Sequence, residues 1–254
     1  MKQKKSILCL LFALFAWMSV SCTDNASLPE IDNNKSDATL VQGQPYNWGK
    51  STLSPIPEKT LASLRDGDPN FSMDDIEYWV GNGSKQAALV IEWHDGKSPD
   101  ALVWGYRWDG DAHGIDMLRA IVKADKRLIF LTHMTQYGNT IAGLGYDINK
   151  TGKHYLIYKD SKFMPTDGVV ETDAYNYDDW SYSDSEDHWL SGWYKGYWSY
   201  WVKDSFNEDW SYSNWGASSR VLKDGSWDGW SFLDDMSNWS GRPLGSKFVP
   251  ASAN

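Results

Sequence analysis

The chain has 254 residues, with 24 Lys and Arg against 34 Asp and Glu, a formal net charge of -10. Such an excess of acid argues against nucleic acid, whose binding rests on neutralising phosphates with Lys and Arg. It argues equally against adhesion to anionic lipid.

The first five residues (MKQKK) are positive, and Ser6 to Val20 is almost wholly apolar. That run is too short for a spanning helix and sits where the core of a secretory signal belongs. Ser19-Val20-Ser21-Cys22 resembles a bacterial lipobox, with Ser19 departing from the usual leucine. A signal peptide over residues 1–21 and lipidation at Cys22 are therefore expected. Cys9 leaves with the signal, so Cys22 is the lone thiol of the exported chain. The resemblance to bacterial lipoproteins implies several acyl chains at that residue, and several hold a protein on a membrane where one does not. Loss of Lys2, Lys4 and Lys5 leaves 21 basic against 34 acidic residues, a net charge of -13.

Residues 22–44 are polar and read as a lipid-anchored flexible tether. Asp24 resembles the acidic tags that send lipoproteins of Bacteroidetes to the cell surface. The expected location is the outer membrane, lipid-anchored and exposed outward. Residues 45–254 suffice for a single ligand-binding domain, with a core over 86–233 and an insertion over 149–195.

Residues 45–85 are ambiguous and read as an N-terminal extension packed on the domain. Ala87–Trp93 (AALVIEW) and Ala101–Trp108 (ALVWGYRW) are rich in strand formers and flank the turn signal Asp95-Gly96, which predicts a β-hairpin. In its second strand Leu102, Trp104, Tyr106 and Trp108 share one face. Ile115, Leu118, Ile121 and Val122 then recur at helical spacing, predicting a helix over Ile115–Lys126 that ends around Arg127 to Phe130. A linker with Tyr137-Gly138 leads to a third strand over Thr140–Ile148, its glycines marking close backbone approach. A fourth strand is expected over Gly196–Lys203 and a short closing strand near Phe232. The pattern predicts an α+β domain, one helix on a small mixed sheet. The Asn149–Lys195 segment is too long for a structureless loop, which points to function or to a hairpin of its own. Trp180-Ser-Tyr-Ser-Asp184 recurs as Trp210-Ser-Tyr-Ser-Asn214, a string that similar turn-and-strand requirements would produce.

Of the 16 tryptophans, ten fall between Trp180 and Trp239, interleaved with tyrosines. A core of this size does not need so many. Tryptophan presents a flat apolar face with one donor at its edge, which suits ligands that are flat or offer C–H faces. Trp180, Trp189, Trp193, Trp210 and Trp215 sit in loop-like sequence and are the expected exposed members. His94, His113, His133, His154 and His188 lack metal spacing and read as solvated or structural. Asp178, Asp179, Asp184, Glu186 and Asp187 have no EF-hand-like order and read as a solvated acidic loop. No Gly-x-Ser-x-Gly elbow and no phosphate-cradling glycine loop is present, and no carboxylate pair is singled out for glycoside hydrolysis.

The helix GIDMLRAIVKA, Tyr137-Gly138 before TIAGLGYD, GYWSYWVKD, and GASSRVLKDGSWDGWSF resemble the β-grasp (ubiquitin-like) domain at the C-terminal end of transcobalamin and intrinsic factor. The matching residues are Asp116 and Leu118, Tyr137 and Gly138, Trp198 and Tyr200, and Gly216 with Leu222, Asp224, Gly225 and Trp230. Ser226 and the long 149–195 insertion depart from that pattern. In the animal carriers this domain covers one face of the corrinoid. The chain also resembles surface lipoproteins of Bacteroidetes corrinoid-uptake systems. The resemblance implies a non-enzymatic protein that binds cobalamin or a related corrinoid as cargo, not as cofactor, and assists an outer-membrane TonB-dependent transporter or its partner lipoproteins. The expected contacts are Tyr137, Trp189, Trp193, Trp198, Tyr200, Trp201 and Trp215, with no metal ligand. A carbohydrate-binding lipoprotein and a structural or adhesive surface module are the alternatives.

Overall fold

The computed structural model describes residues 67–173, 175–237 and 240–253. The signal peptide, Cys22, the tether and residues 45–66 of the extension lie outside the described residues. Among the described residues strand accounts for 40% and helix for 9%: they are mostly β, with one α-helix on mixed sheets.

The expected hairpin is present. β2 (Lys85–Glu92) and β3 (Ala101–Trp108) pair antiparallel, with Leu89 opposite Trp104 and Val90 opposite Val103. β1 (Trp79–Gly81) and β14 (Phe248–Pro250) run parallel to β3 along its outer edge. On the other side β2 pairs parallel with β13 (Ser226–Leu233), which pairs antiparallel with β11 (Tyr197–Lys203). β12 (Ser211–Tyr212) completes a seven-stranded sheet. β13, expected as a short closing strand, is central, and all eight of its residues are buried.

α1 (Gly114–Ala124) begins where the stripe predicts. The His113 N–H donates to Asp116 Oδ2 at 2.8 Å, closing the first turn. It ends at Asp125, whose buried carboxylate accepts from Trp104 Nε1 at 3.0 Å and pairs with Arg127 Nε at 2.8 Å. Ile115, Met117, Leu118, Ile121 and Val122 pack on Leu89, Ile91, Trp104, Trp198, Tyr200 and Trp230.

Beyond the helix the expectation fails. Leu128–Thr135 (LIFLTHMT), read as a helix end and linker, is strand β4. A continuous apolar run does not alternate, so the strand period is hidden when both faces are buried. β4 pairs with β5 (Gly138–Tyr146), and β10 (His188–Ser191) and β8 (Val169–Glu171) flank them in a separate four-stranded sheet. The expected third strand therefore belongs to this second sheet. Leu128 and Phe130 join the helix-side core, while Ile129, Leu131 and Ala142 face a second cluster with Leu156, Val170, Tyr177, Trp180 and Tyr182. The 149–195 segment is thus structured: β6 (Leu156–Tyr158), β7 (Ser161–Phe163) and β9 (Ser181–Tyr182) form a small sheet over the second one. Both copies of the Trp-Ser-Tyr-Ser string supply a two-residue strand, β9 and β12.

The face of the large sheet turned away from α1 is covered: Val90, Val103, Trp201 and Trp227 pack against Phe71, Trp210, Leu244 and Phe248. Phe71 of the N-terminal extension, Trp210 of the β11–β12 connection, and Leu244 and Phe248 of the C-terminal segment supply this cover.

Candidate functional site

The expected contact residues divide by burial. Trp198, Tyr200 and Trp201 are 5%, 5% and 8% exposed and belong to the cores on opposite faces of the large sheet. They are structural, because both faces that β11 presents are covered. The Trp198 indole N–H donates to Leu190 O at 3.1 Å, tying the two sheets together. Tyr200 OH donates to Asp228, which Arg220 Nε approaches at 3.4 Å. Burial drives the Asp228 carboxyl up to about 6, with Arg220 and Tyr200 opposing that rise. A β-carbon at Gly114 would collide with the Tyr200 hydroxyl, so this network seats the start of α1.

Trp189 is half-buried. Its ring lies over Gly143 and Gly145 of β5, and its indole N–H donates to Trp180 O at 2.9 Å. The two glycines seat the indole flat on the strand. Trp180 and Trp210, expected to be exposed, are buried.

The remaining contact residues meet solvent at the hairpin end of the second sheet. Tyr137, in the two-residue turn between β4 and β5, is 74% exposed, and Trp215 is 56% exposed. The turn docks on the 216–220 segment: Gly138 has φ 100, and the Asn139 N–H donates to Ser218 Oγ at 3.0 Å. A side chain at Gly138 would strike Ser218, so only glycine lets the turn approach. The Trp215 N–H donates to Ser213 Oγ at 3.2 Å, fixing its loop, and Val221 beyond it is also exposed.

Along the same sheet end, Trp193 is partly exposed. Asp178 accepts from the N–H groups of Trp193, Tyr194 and Lys195 at 3.2, 3.0 and 2.9 Å, which sets this turn. Tyr194 is 68% and Tyr175 52% exposed. The Tyr175 ring packs 4.5 Å from His133 and 6.4 Å from Trp193. Tyr175, Tyr194, Met134 and Val221 were not among the expected contacts. Tyr194 follows Trp193 in the turn-like SGWYKG, which was a usable signal. Met134 sits in the strand that was missed.

A different chemistry gathers at the β2–β3 connection. His94, at φ 61, places Nε2 3.0 Å from Ser231 Oγ and 3.2 Å from Glu92, and Nδ1 3.3 Å from Asp100. Burial raises Asp100, but hydrogen bonds from His94 and Ser246 outweigh it and hold the carboxyl at about 2. Burial pushes Glu92 up, against the opposing pull of His94, Ser246 and Gly245. Glu92, His94 and Asp100 converge closely enough to hold a metal ion. Each already has protein partners, including Gly245 N–H to Glu92 at 3.0 Å. Ser231 is fully buried, which shuts it from an external substrate despite its histidine–aspartate neighbours. Next to it Trp93 stacks on His188 at 4.3 Å, and His188 Nδ1 lies 3.0 Å from Asp95. The histidines read as solvated or structural are structural here, with His94 and His188 fastening the β2–β3 connection to neighbouring strands. A groove of about 700 Å³ lies between α1 and the β7–β8 segment. Of its three cations, Arg119 pairs with Glu171 at 3.1 Å and Lys123 with Asp167 at 2.9 Å, while Lys162 Nζ lies 4.8 Å over the Tyr155 ring.

No protein-family model matches the chain, and comparison with curated proteins and with solved structures finds no match either.

Proposed function

We propose that the chain is a non-catalytic, lipid-anchored protein of the outer cell surface that captures cobalamin or a related corrinoid. It passes that cargo to an outer-membrane transporter or the transporter's partner lipoproteins. The observation that carries ligand capture is the set of solvent-facing aromatics Tyr137, Tyr194 and Tyr175 at the hairpin end of the second sheet, with Trp193 between the last two, and Trp215 in the loop leading into the segment docked on the Tyr137 turn. Large rings exposed together on a folded surface mark a place where something binds. A corrinoid is broad, flat-faced and rimmed by amides. Ring faces suit its planes, and Ser218, Asn139 and Gln136 beside Tyr137 suit its rim.

The corrinoid rests on the resemblance to the transcobalamin-type β-grasp domain, and the strand order supports that lineage. β3-β2-β13-β11 has a parallel central pair flanked by antiparallel partners, with the helix directly after the hairpin. In this proposal β2, β3, α1, β11 and β13 are the β-grasp core, and the second sheet with its cover is inserted between α1 and β11.

One observation favours a second reading, a glycan. The aromatics stand on an open surface, whereas the 700 Å³ groove has Phe163 as its only aromatic. An extended sugar chain lies across such a surface without needing walls. Calorimetric titration with cobalamin and with a panel of oligosaccharides separates the two. Saturable heat with cobalamin alone supports the first, and heat with a glycan alone replaces it.

A further inference from the structure

The β5–β6 connection carries an order of ligand-type residues that the acidic-loop reading passed over: Asp147-x-Asn149-x-Thr151-Gly152. Lys150 and Gly152 both take positive φ, 55° and 71°, which curls the loop back on Asp147. The Asp147 carboxylate accepts from the N–H groups of Thr151 at 3.1 Å and Gly152 at 3.2 Å. From the other side, Asp187 Oδ1 accepts from the N–H groups of Ile148 at 2.9 Å and Asn149 at 3.1 Å and from the Asn149 side-chain Nδ2 at 3.1 Å. Asp184 Oδ2 lies 3.5 Å from Thr151 Oγ1.

Asp187 supplies the decisive observation. It is fully buried, and its Oδ2 has no hydrogen-bond partner. A buried carboxylate oxygen left without a donor is strongly unfavourable. Among the described residues none of these three aspartates has an ion-pair partner. The neighbouring amine, Lys97 Nζ, donates to the Asp187 main-chain carbonyl and sits 3.6 Å from Asp95. Burying acid on acid around an unsatisfied oxygen is what a hard cation requires.

We propose that Asp147, Asn149, Thr151, Asp184 and Asp187 form a calcium site, with Asp187 Oδ2 as its buried anchor. Calcium takes 6–8 oxygen ligands in flexible geometry, so waters and main-chain carbonyls complete the shell. The donors are all oxygen, which excludes zinc- or copper-type preference. The three carboxylates are not drawn into the tight mutual contact of Glu92, His94 and Asp100. Bound calcium fastens the 184–187 turn to the end of β5 and so sets the start of β10, which carries His188 and leads to Trp193.

The test uses full-length protein in detergent, stripped with EDTA and titrated with calcium chloride by calorimetry and thermal melting. Wild type should bind one ion with a Kd of about 0.1–1 mM, the range of extracellular modules. At 10 mM calcium Tm should rise by about 3–10 °C. Asp187→Asn should lose at least tenfold in affinity and most of that shift, yet melt in EDTA no lower than wild type. Asp184→Asn, which leaves the buried hydrogen bonds intact, should lower affinity similarly and decides the matter if Asp187→Asn does not fold. A wild-type Tm indifferent to calcium would overturn the proposal. So would equal shifts from calcium in wild type and both variants, or equal shifts from calcium and magnesium at matched ionic strength.

Discussion

Tyr200 and Trp230 stand opposite one another on β11 and β13 and stack face to face, ring centroids 4.1 Å apart and planes 3° from parallel. The Tyr200 hydroxyl then reaches Asp228 beneath the first turn of α1. One side chain thus joins a sheet pair, a buried acid and the helix start. Tyr200→Ala should destabilise by about 3–5 kcal/mol, the usual loss for a buried large aromatic. Tyr200→Phe keeps the stack but strips Asp228 of a donor, for about 1–3 kcal/mol. Urea denaturation measures both. A neutral Tyr200→Ala would show that the residue is not the core element described.

Asp228 makes stability depend on pH in a direction opposite to ordinary surface aspartates. Its folded pKa, about 6, lies above the ordinary aspartate value of 3.8, so the folded state holds the proton more tightly. That contribution is fully present below pH 4 and is lost as pH rises through 6. Two units of displacement correspond to about 3 kcal/mol. Asp100, held at about 2, works the other way: its contribution is present above pH 4 and lost as pH falls towards 2. Asp228→Asn should therefore flatten the pH 4–6 limb and leave the acid limb intact. Stability curves at pH 3 to 7 check this, and parallel curves for variant and wild type would refute it.

How far the sequence is readable depends on whether a pattern is local. The β2–β3 hairpin and α1 were legible because a period of two and a period of 3.6 declare themselves within ten residues. β4 was not, since a strand buried on both faces shows no period. Nor was the cover on the second face of the large sheet: Phe71, Leu244 and Phe248 come from segments far apart in the chain and carry no local sign of where they pack. That cover is why Trp201, on the opposite face from Tyr200, is a core residue instead of a ligand platform. Turn positions were the better guide. Tyr137 precedes Gly138 and Trp215 precedes Gly216, and both stand exposed. The proposed grouping of Asp187 with Asp147 has no local sign in the acidic loop, because Asp147 lies 40 residues upstream.

The anchor makes a separate prediction. Cys22→Ala should release the protein from the membrane fraction and abolish fatty-acid labelling while leaving its melting temperature unchanged. A variant that still sediments with membranes and labels would exclude lipidation at Cys22.

Exposed and buried aromatics should respond differently to truncation. Trp201→Ala should destabilise by about 3–5 kcal/mol, whereas Tyr194→Ala, on a 68% exposed side chain, should change stability by less than about 0.5 kcal/mol. Thermal melts distinguish them, and similar losses in both would mean that Tyr194 is packed.

The most direct measurement is a calorimetric titration of cobalamin into wild type, Tyr137→Ala and Trp215→Ala. Stacking of one aromatic on a flat ligand contributes about 1–3 kcal/mol, taking nucleobases as the guide. Wild type should bind with micromolar or tighter affinity, and each variant should weaken it by about 5- to 100-fold with no change in melting temperature. Absence of binding by wild type, or affinities in both variants equal to wild type, would contradict corrinoid capture at this aromatic surface.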